Sequence, residues 1–226
     1  MLVNVGKLMS HTSTKGGGGV KHPFNPSLVD AWFMSGLSNS DKPTQIVGVK
    51  KNKLQLKNFA FTSESGFGEG NYEDALVFDG VDDYGICTGL PIFDDYTVIC
   101  RRVLENNVKN VVASKSVVAG NGAFIFEYGN NATYSFSEYT YGLAVNLKDS
   151  VSYQTKNSYN GSTITVGNTD DTDTLTLGVI REGDSRLLEG AIYYFALYNK
   201  SLTPEEVEEE KVKLENYWEG GKNELA

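Results

Sequence analysis

Histidine is almost missing from this chain. Of 226 residues only His11 and His22 are histidine, and both fall in the first 22 positions. A Ser-His-Asp or Cys-His site inside a folded core is therefore excluded, because each needs an imidazole as its base. Cysteine is equally scarce. Cys87 and Cys100 are too few for a disulfide framework. They lie in apolar strand contexts, YGICTG and TVICRR, which predicts two buried free thiols, or a bridge if their strands are neighbours. Positive charge is in deficit: 20 Lys and Arg stand against 29 Asp and Glu, for a formal charge of −9. A partner recognised through phosphates, nucleic acid above all, is not expected. No apolar run approaches the ~20 residues of a membrane-crossing helix. There is no His-Glu-x-x-His, no Walker loop and no Gly-x-Ser-x-Gly. Gly66, Gly68 and Gly70 precede a strand pattern rather than a helix, so no helix N-terminus waits there for a phosphate.

What is present is core material: 13 Tyr, 11 Phe, 2 Trp and a hydrophobic fraction of 40%. Short runs of alternating character recur at roughly 8–12-residue spacing, with Asn121-Gly122 and Asn160-Gly161 as hairpin signals. The clearest stretch is residues 187–207. In it, Ile192, Tyr194, Ala196 and Tyr198 fall on one face at period two, and Ala191, Tyr193, Phe195 and Leu197 on the other. Both faces are apolar or aromatic, which predicts a strand covered on both sides. A helix over 203–218 follows. Thr203 and Glu206 form a capping box around Pro204, Leu202 and Val207 a hydrophobic staple, and Glu209 and Lys213 an i,i+4 pair. The whole predicts an all-β, two-sheet sandwich with one C-terminal helix.

GAIYYFALYN followed by KSLTPEEV resembles the last strand and closing helix of laminin-G-like, concanavalin A-like jelly-roll domains. Residues 76–84, LVFDGVDDY, resemble an early hairpin of the same domains that turns at Asp-Gly. The resemblance covers about residues 70–218 and implies a two-sheet antiparallel jelly roll, a fold that hosts lectins, adhesion modules and glycosidases alike. WFMSGLSNSDKP to LKNFAFTSESGF is similar to segments that precede such jelly rolls in proteins of gut Bacteroidetes and their phages.

Residues 1–27 read as an extended N-terminal arm with a four-glycine joint at Gly16–Gly19, and 28–226 as the domain. Leu2, Val3, Val5, Leu8 and Met9 make the arm apolar enough to assemble onto another chain. Its opening lacks the apolar core and cleavage site of a secretory leader, so export by that route is not expected.

Asp79, Asp82 and Asp83 in one loop, and Asp170, Asp171 and Asp173 in another, are oxygen-rich in a way that suits calcium, which laminin-G-like domains often bind at a sandwich rim. Turn chemistry explains both loops as well. Tyr134, Phe136, Tyr139, Tyr141, Tyr153 and Tyr159 sit among Ser, Thr and Asn. Exposed aromatic faces with short polar side chains recognise sugars, and Tyr134, Tyr139, Tyr141 and Tyr153 are the glycan-binding candidates. The same tyrosines also suit a core edged with hydroxyls. Glu127 and Glu138 are the acidic residues deepest within strand patterns. Each stands alone, so the paired carboxylates of a glycosidase are not expected. The reading that results is a non-catalytic virion module, decorating a capsid or fibre, attached by its arm and binding a glycan or host surface, with self-association left open. A bacterial cell-surface carbohydrate-binding module is the alternative, and a glycoside hydrolase the third.

Overall fold

A computed structural model of the chain describes residues 23–105, 111–118, 121–128, 141–143, 147–164, 172–184 and 186–223. In chain order its strands are β1 (Leu28–Phe33), β2 (Gln45–Val47), β3 (Lys53–Lys57), β4 (Gly66–Phe67), β5 (Leu76–Asp79), β6 (Tyr84–Cys87), β7 (Thr97–Leu104), β8 (Val111–Val118), β9 (Asn121–Tyr128), β10 (Tyr141–Leu143), β11 (Ser150–Thr155), β12 (Ser158–Tyr159), β13 (Ser162–Thr163), β14 (Leu175–Leu177) and β15 (Glu189–Tyr198). Helix α1 (Pro204–Asn223) closes the described chain.

The strands form the expected two-sheet antiparallel jelly-roll sandwich. One sheet has the order β13-β12-β11-β7-β15-β5-β4, and β1 also pairs with β15. The other runs β10-β9-β8-β14-β6-β3-β2. One pairing departs from the antiparallel rule: β10 lies parallel to β9. The main core fills the space between the sheets, with Trp32, Leu54, Phe78, Val98, Phe126, Leu177 and Phe195 all within it. A second core lies on the other face of the β15 sheet, where α1 packs.

β15 is the strand both cores share. One edge pairs with β7 along its length. β5 takes residues 189–192 of the other edge and β1 takes residues 194–198. The period-two assignment of its faces fails at one point. The register against β7 slips between Ile192 and Tyr194. After that bulge Phe195 and Leu197 join Ile192 in the inter-sheet core, whereas Tyr194, Ala196 and Tyr198 face the helix with Ala191 and Tyr193. One extra residue exchanges the faces of everything beyond it.

Two turn expectations also need correction. Residues 79–84 do not make a hairpin: β5 belongs to one sheet and β6 to the other, so FDGVDDY is a corner that carries the chain across the sandwich. Gly80 takes φ +74 to turn it. Asn121 and Gly122 lie on the first residues of β9, with Asn121 already paired to Val118. Asn160-Gly161 does form a hairpin turn, with φ +44 and +81, closed by the Tyr159–Ser162 pair. The β2–β3 turn is organised from the other sheet. Asp30, buried on β1, accepts from the backbone N–H groups of Lys50 and Asn52, each at 2.8 Å.

Helix α1 starts as the sequence predicts. The Thr203 hydroxyl oxygen accepts from Glu206 N–H at 3.2 Å, and the Glu206 carboxylate accepts from Thr203 N–H at 2.9 Å. Val207, Leu214 and Trp218 are buried on one stripe. The helix runs five residues past the expected end, through Gly220 and Gly221. The ion pairs within it are Glu208–Lys211 and Glu210–Lys213, the latter with a buried glutamate, rather than Glu209–Lys213. Arg101 on β7 joins helix to sheet: it binds Asp149 and Glu215, and its guanidinium lies 4.8 and 4.4 Å from the Tyr193 and Trp218 ring centroids.

Removing the cap tests how far this local structure supports the fold. Thr203→Ala is expected to cost about 1 kcal/mol, lowering the melting temperature by roughly 2–4 °C. An unchanged melting temperature would mean that the box contributes nothing.

Candidate functional site

β7 alternates regularly, so Val98, Cys100, Arg102 and Leu104 all point between the sheets. Arg102 is thus a guanidinium in an apolar row, with none of its side chain exposed. Its neighbour β11 sets Ser150 opposite Arg102 and Ser152 opposite Cys100. From the facing sheet comes Glu127 on β9. Simple alternation would turn it away from the core, since Phe124 and Phe126 point inward and Ile125 belongs to a separate outer cluster. A bulge reverses this. Tyr141 pairs with Ile125 and Leu143 with Tyr128, so β9 carries one residue more than β10 there. Glu127 sits at φ +51, a left-handed conformation that costs a non-glycine residue of order 1 kcal/mol.

The result is a closed network across the sandwich. Arg102 Nε and Nη2 grip the two Glu127 oxygens, the second at 2.6 Å. Nη1 donates to Ser150 Oγ at 2.7 Å and to Lys148 O at 3.2 Å, and Nη2 also donates to Ser152 Oγ at 3.2 Å. All five guanidinium donors are used. The Tyr159 hydroxyl on β12 donates to Glu127 Oε1 at 2.7 Å. Further along β11, Gln154 donates to Tyr96 Oη at 2.8 Å, and its carbonyl oxygen meets no partner among the described residues. Burial alone would lower the Arg102 pKa, but the hydrogen bonds and charge of Glu127 outweigh it and hold it above its ordinary value. Burial and the Glu127 charge push the Tyr159 phenol well up. Tyr159 is therefore a neutral donor, not an activated nucleophile, and the partners of Glu127 are Arg102 and Tyr159 rather than a second carboxylate. Chemically the network fixes one end of the sandwich.

That end bears on the tyrosines. β9 ends at Tyr128, one residue beyond Glu127, and the chain re-emerges as β10 at Tyr141. Tyr134, Phe136 and Tyr139 belong to the connection and lie outside the described residues, as do Glu138, Asp170, Asp171, and Leu2, Val3, Val5, Leu8 and Met9 of the arm. Tyr141 is in register with Ile125. The expectation of an exposed ring is not met at Tyr153, which is 9% exposed, packs in the helix-side core and lies beneath Lys211 Nζ at 4.7 Å. Tyr159 is inside the main core.

The corner between β5 and β6 gathers the first aspartate set. One oxygen from each of Asp79, Asp82 and Asp83 falls within 4.8 Å of the others. Asp83 is buried and accepts from Ser65 Oγ at 3.0 Å and Asp79 N–H at 3.2 Å; Asp79 accepts from Val81 N–H at 2.8 Å. The donors are hard oxygens of the kind calcium takes, although two carboxylates are already engaged by the turn. Asp173 is not part of this group. It is exposed, accepting from Gly89 N–H and the Thr174 hydroxyl. Cys87 and Cys100 are buried free thiols, as expected.

Burial, with the charges of Asp79 and Asp82 beside it, pushes the Asp83 carboxyl from its usual 3.8 up to about 6, against the hydrogen bonds from Ser65 and Asp79. An acid raised on folding binds its proton more tightly in the folded state, so stability is gained as pH falls through about 6 and lost as it rises. Asp83→Asn should therefore be more stable than the wild type at pH 7.5 and lose that advantage by pH 4.5 in thermal melts. A cation held by the cluster would stabilise the wild type at pH 7.5 when millimolar calcium is added, and the variant less. An advantage equal at both pH values would contradict the assignment.

No protein-family model matches the chain, and no curated protein does. Among solved structures it resembles Trypanosoma rangeli sialidase in complex with 2,3-difluoro-KDN, at 15% identity and a TM-score of 0.52 over 86% of this chain and 33% of that one. It also resembles the same sialidase in complex with sialic acid, at 14% identity and a TM-score of 0.50 over 81% and 32%. The binding domain of botulinum neurotoxin serotype D follows, at 10% identity and a TM-score of 0.48 over 86% and 52%. The chain spans about a third of the length of the sialidases it matches. At such identities the likeness is one of fold: this is a β-sandwich of a kind also found within those sialidase chains.

Proposed function

We propose that the chain is a non-catalytic recognition module that binds a glycan or host-surface receptor and is attached to a larger assembly by residues 1–27. The observation that carries this reading is the Arg102–Glu127 network beside the end of β9. It spends a fully buried carboxylate of the sandwich on structure, and it lies one residue from the end of β9, where the connection that holds Tyr134 and Tyr139 begins. Rigid scaffolds carrying variable connections are the usual way such folds present binding residues. The sialidases it resembles were solved with sialic acid and a difluorinated relative bound, which makes sugars the first ligands to try. A charge of −9 favours neutral glycans over acidic ones through long-range repulsion at low salt. The similarity of residues 32–67 to segments in proteins of gut Bacteroidetes and their phages suits a virion as the assembly, with a bacterial cell surface as the second setting.

A glycan array probed with the full chain tests this. Binding to neutral oligosaccharides is expected. Tyr134→Ala combined with Tyr139→Ala should weaken it roughly thirtyfold, if each ring supplies about 1 kcal/mol, with the melting temperature unchanged. No sugar should be released. Binding that ignores both tyrosines, or release of reducing sugar, would overturn the proposal.

A further inference from the structure

The outward face of α1 combines negative charge with an exposed apolar side chain. Between Pro204 and Asn223 there are seven glutamates and three lysines, a net charge of −4. Several of those glutamates are engaged beneath or beside the helix: Glu210 with Tyr198 and Lys213, Glu215 with Tyr194 and Arg101, Glu206 with Lys200. Glu205, Glu208 and Glu209 remain exposed. With Pro204 and Val212 they line a shallow depression. Val212 is 61% exposed, among the largest such values for an apolar side chain in the described chain. Their spacing of three and four residues makes them a single stripe, apolar at its centre and acidic at its borders. Glu208 already pairs with Lys211 on its inner side. Glu205 and Glu209 make no ion pair in the described chain.

The chain holds one segment complementary to that stripe. Residues 1–22 contain Lys7, Lys15 and Lys21, two histidines and no acidic residue, with Leu2, Val3, Val5, Leu8 and Met9 between them. That is the opposite charge and the missing apolar partner. Its attachment point is also in the right place. Phe24 packs on Tyr217 of α1, ring centroids 5.6 Å apart, and Asn25 N–H donates to Glu210 at 3.1 Å. The described chain thus begins on the flank of the helix that carries the stripe. From Glu205 to Val212 is only about 10 Å along a helix. The four glycines at 16–19 place no side chain in the way of a turn back over it. A tether this short sets an effective concentration in the millimolar range, far above that of a second copy in dilute solution.

We propose that the stripe formed by Glu205, Glu208, Glu209 and Val212 is the docking surface for the chain's own N-terminal arm. Docked there, the arm is held against its own domain, and a partner that takes up the arm must first displace it from α1. The docking does not depend on the glycan reading, and its test needs neither a glycan nor an attachment partner.

The test is tryptic cleavage at Lys7, Lys15 and Lys21 of the full chain, followed by mass spectrometry at 50 and 500 mM salt. A synthetic peptide of residues 1–22 serves as the unprotected reference. The wild-type arm is expected to be cut about fivefold more slowly than the peptide at 50 mM salt, as suits two or three exposed ion pairs, and to approach the peptide's rate at 500 mM. The E205Q/E208Q/E209Q variant, whose substitutions lie on an exposed face, should be cut at the peptide's rate at both. Protection should be the same at 1 and 100 μM protein. Equal cleavage of wild type and variant at low salt would overturn the proposal. Protection that grows with protein concentration would overturn it in favour of an arm docked on a second copy.

Discussion

A guanidinium and a carboxylate removed completely from water govern this sandwich. The desolvation of two such ions costs several kcal/mol each, and attraction alone rarely offsets it. The structure answers with full satisfaction. Five donors of Arg102 and the two oxygens of Glu127 all find partners, drawn from β7, β9, β11, β12 and the chain at Lys148. Because the pair spans both sheets, their relative position at this end is set by a bidentate geometry. Apolar packing alone tolerates sliding. Several local oddities follow from that demand: the bulge and left-handed residue in β9, the serines facing inward from β11, and a tyrosine hydroxyl inside the core.

The adjacent residue shows how strongly the pleat divides labour. Arg101 and Arg102 are neighbours, yet one lies against the rings of Tyr193 and Trp218 beneath the helix and the other is sealed between the sheets. The first fastens the helical layer to the sandwich and the second fastens the sandwich to itself. β7 therefore carries a charge to each of its two cores, and β15 beside it supplies most of the aromatic surface on which α1 lies. Removing water from both faces of one sheet gives the domain three layers.

What could be read from the sequence was local. The box at Thr203 and Glu206 involves backbone and side chains three residues apart, so its geometry follows from residue identity alone. Asn160-Gly161 was legible for the same reason. The errors came where a distant strand decides. The bulge at Tyr193 reverses a correct alternation and is set by pairing with β7. FDGVDDY reads as a hairpin because Asp-Gly turns chains tightly, but whether the next strand joins the same sheet depends on partners 100 residues away. The Arg102–Glu127 pair did leave a trace: in TVICRRVL, alternation puts an arginine in the row of Val98, Cys100 and Leu104, and such a residue requires a buried acid. Glu127 is one of two acidic residues deep within a strand pattern, but period two would aim it outward, and the bulge that turns it in has no sequence signature of its own.

A double-mutant cycle on Arg102 and Glu127 tests this account most directly, with unfolding free energies measured for Arg102→Met, Glu127→Met and the pair together. If the two side chains hold the sheets as described, each single change leaves an unanswered charge in the core and costs about 3–5 kcal/mol. The double change should then cost far less than the sum, giving a coupling of at least about 2 kcal/mol. Additive losses, or single variants as stable as the wild type, would contradict it.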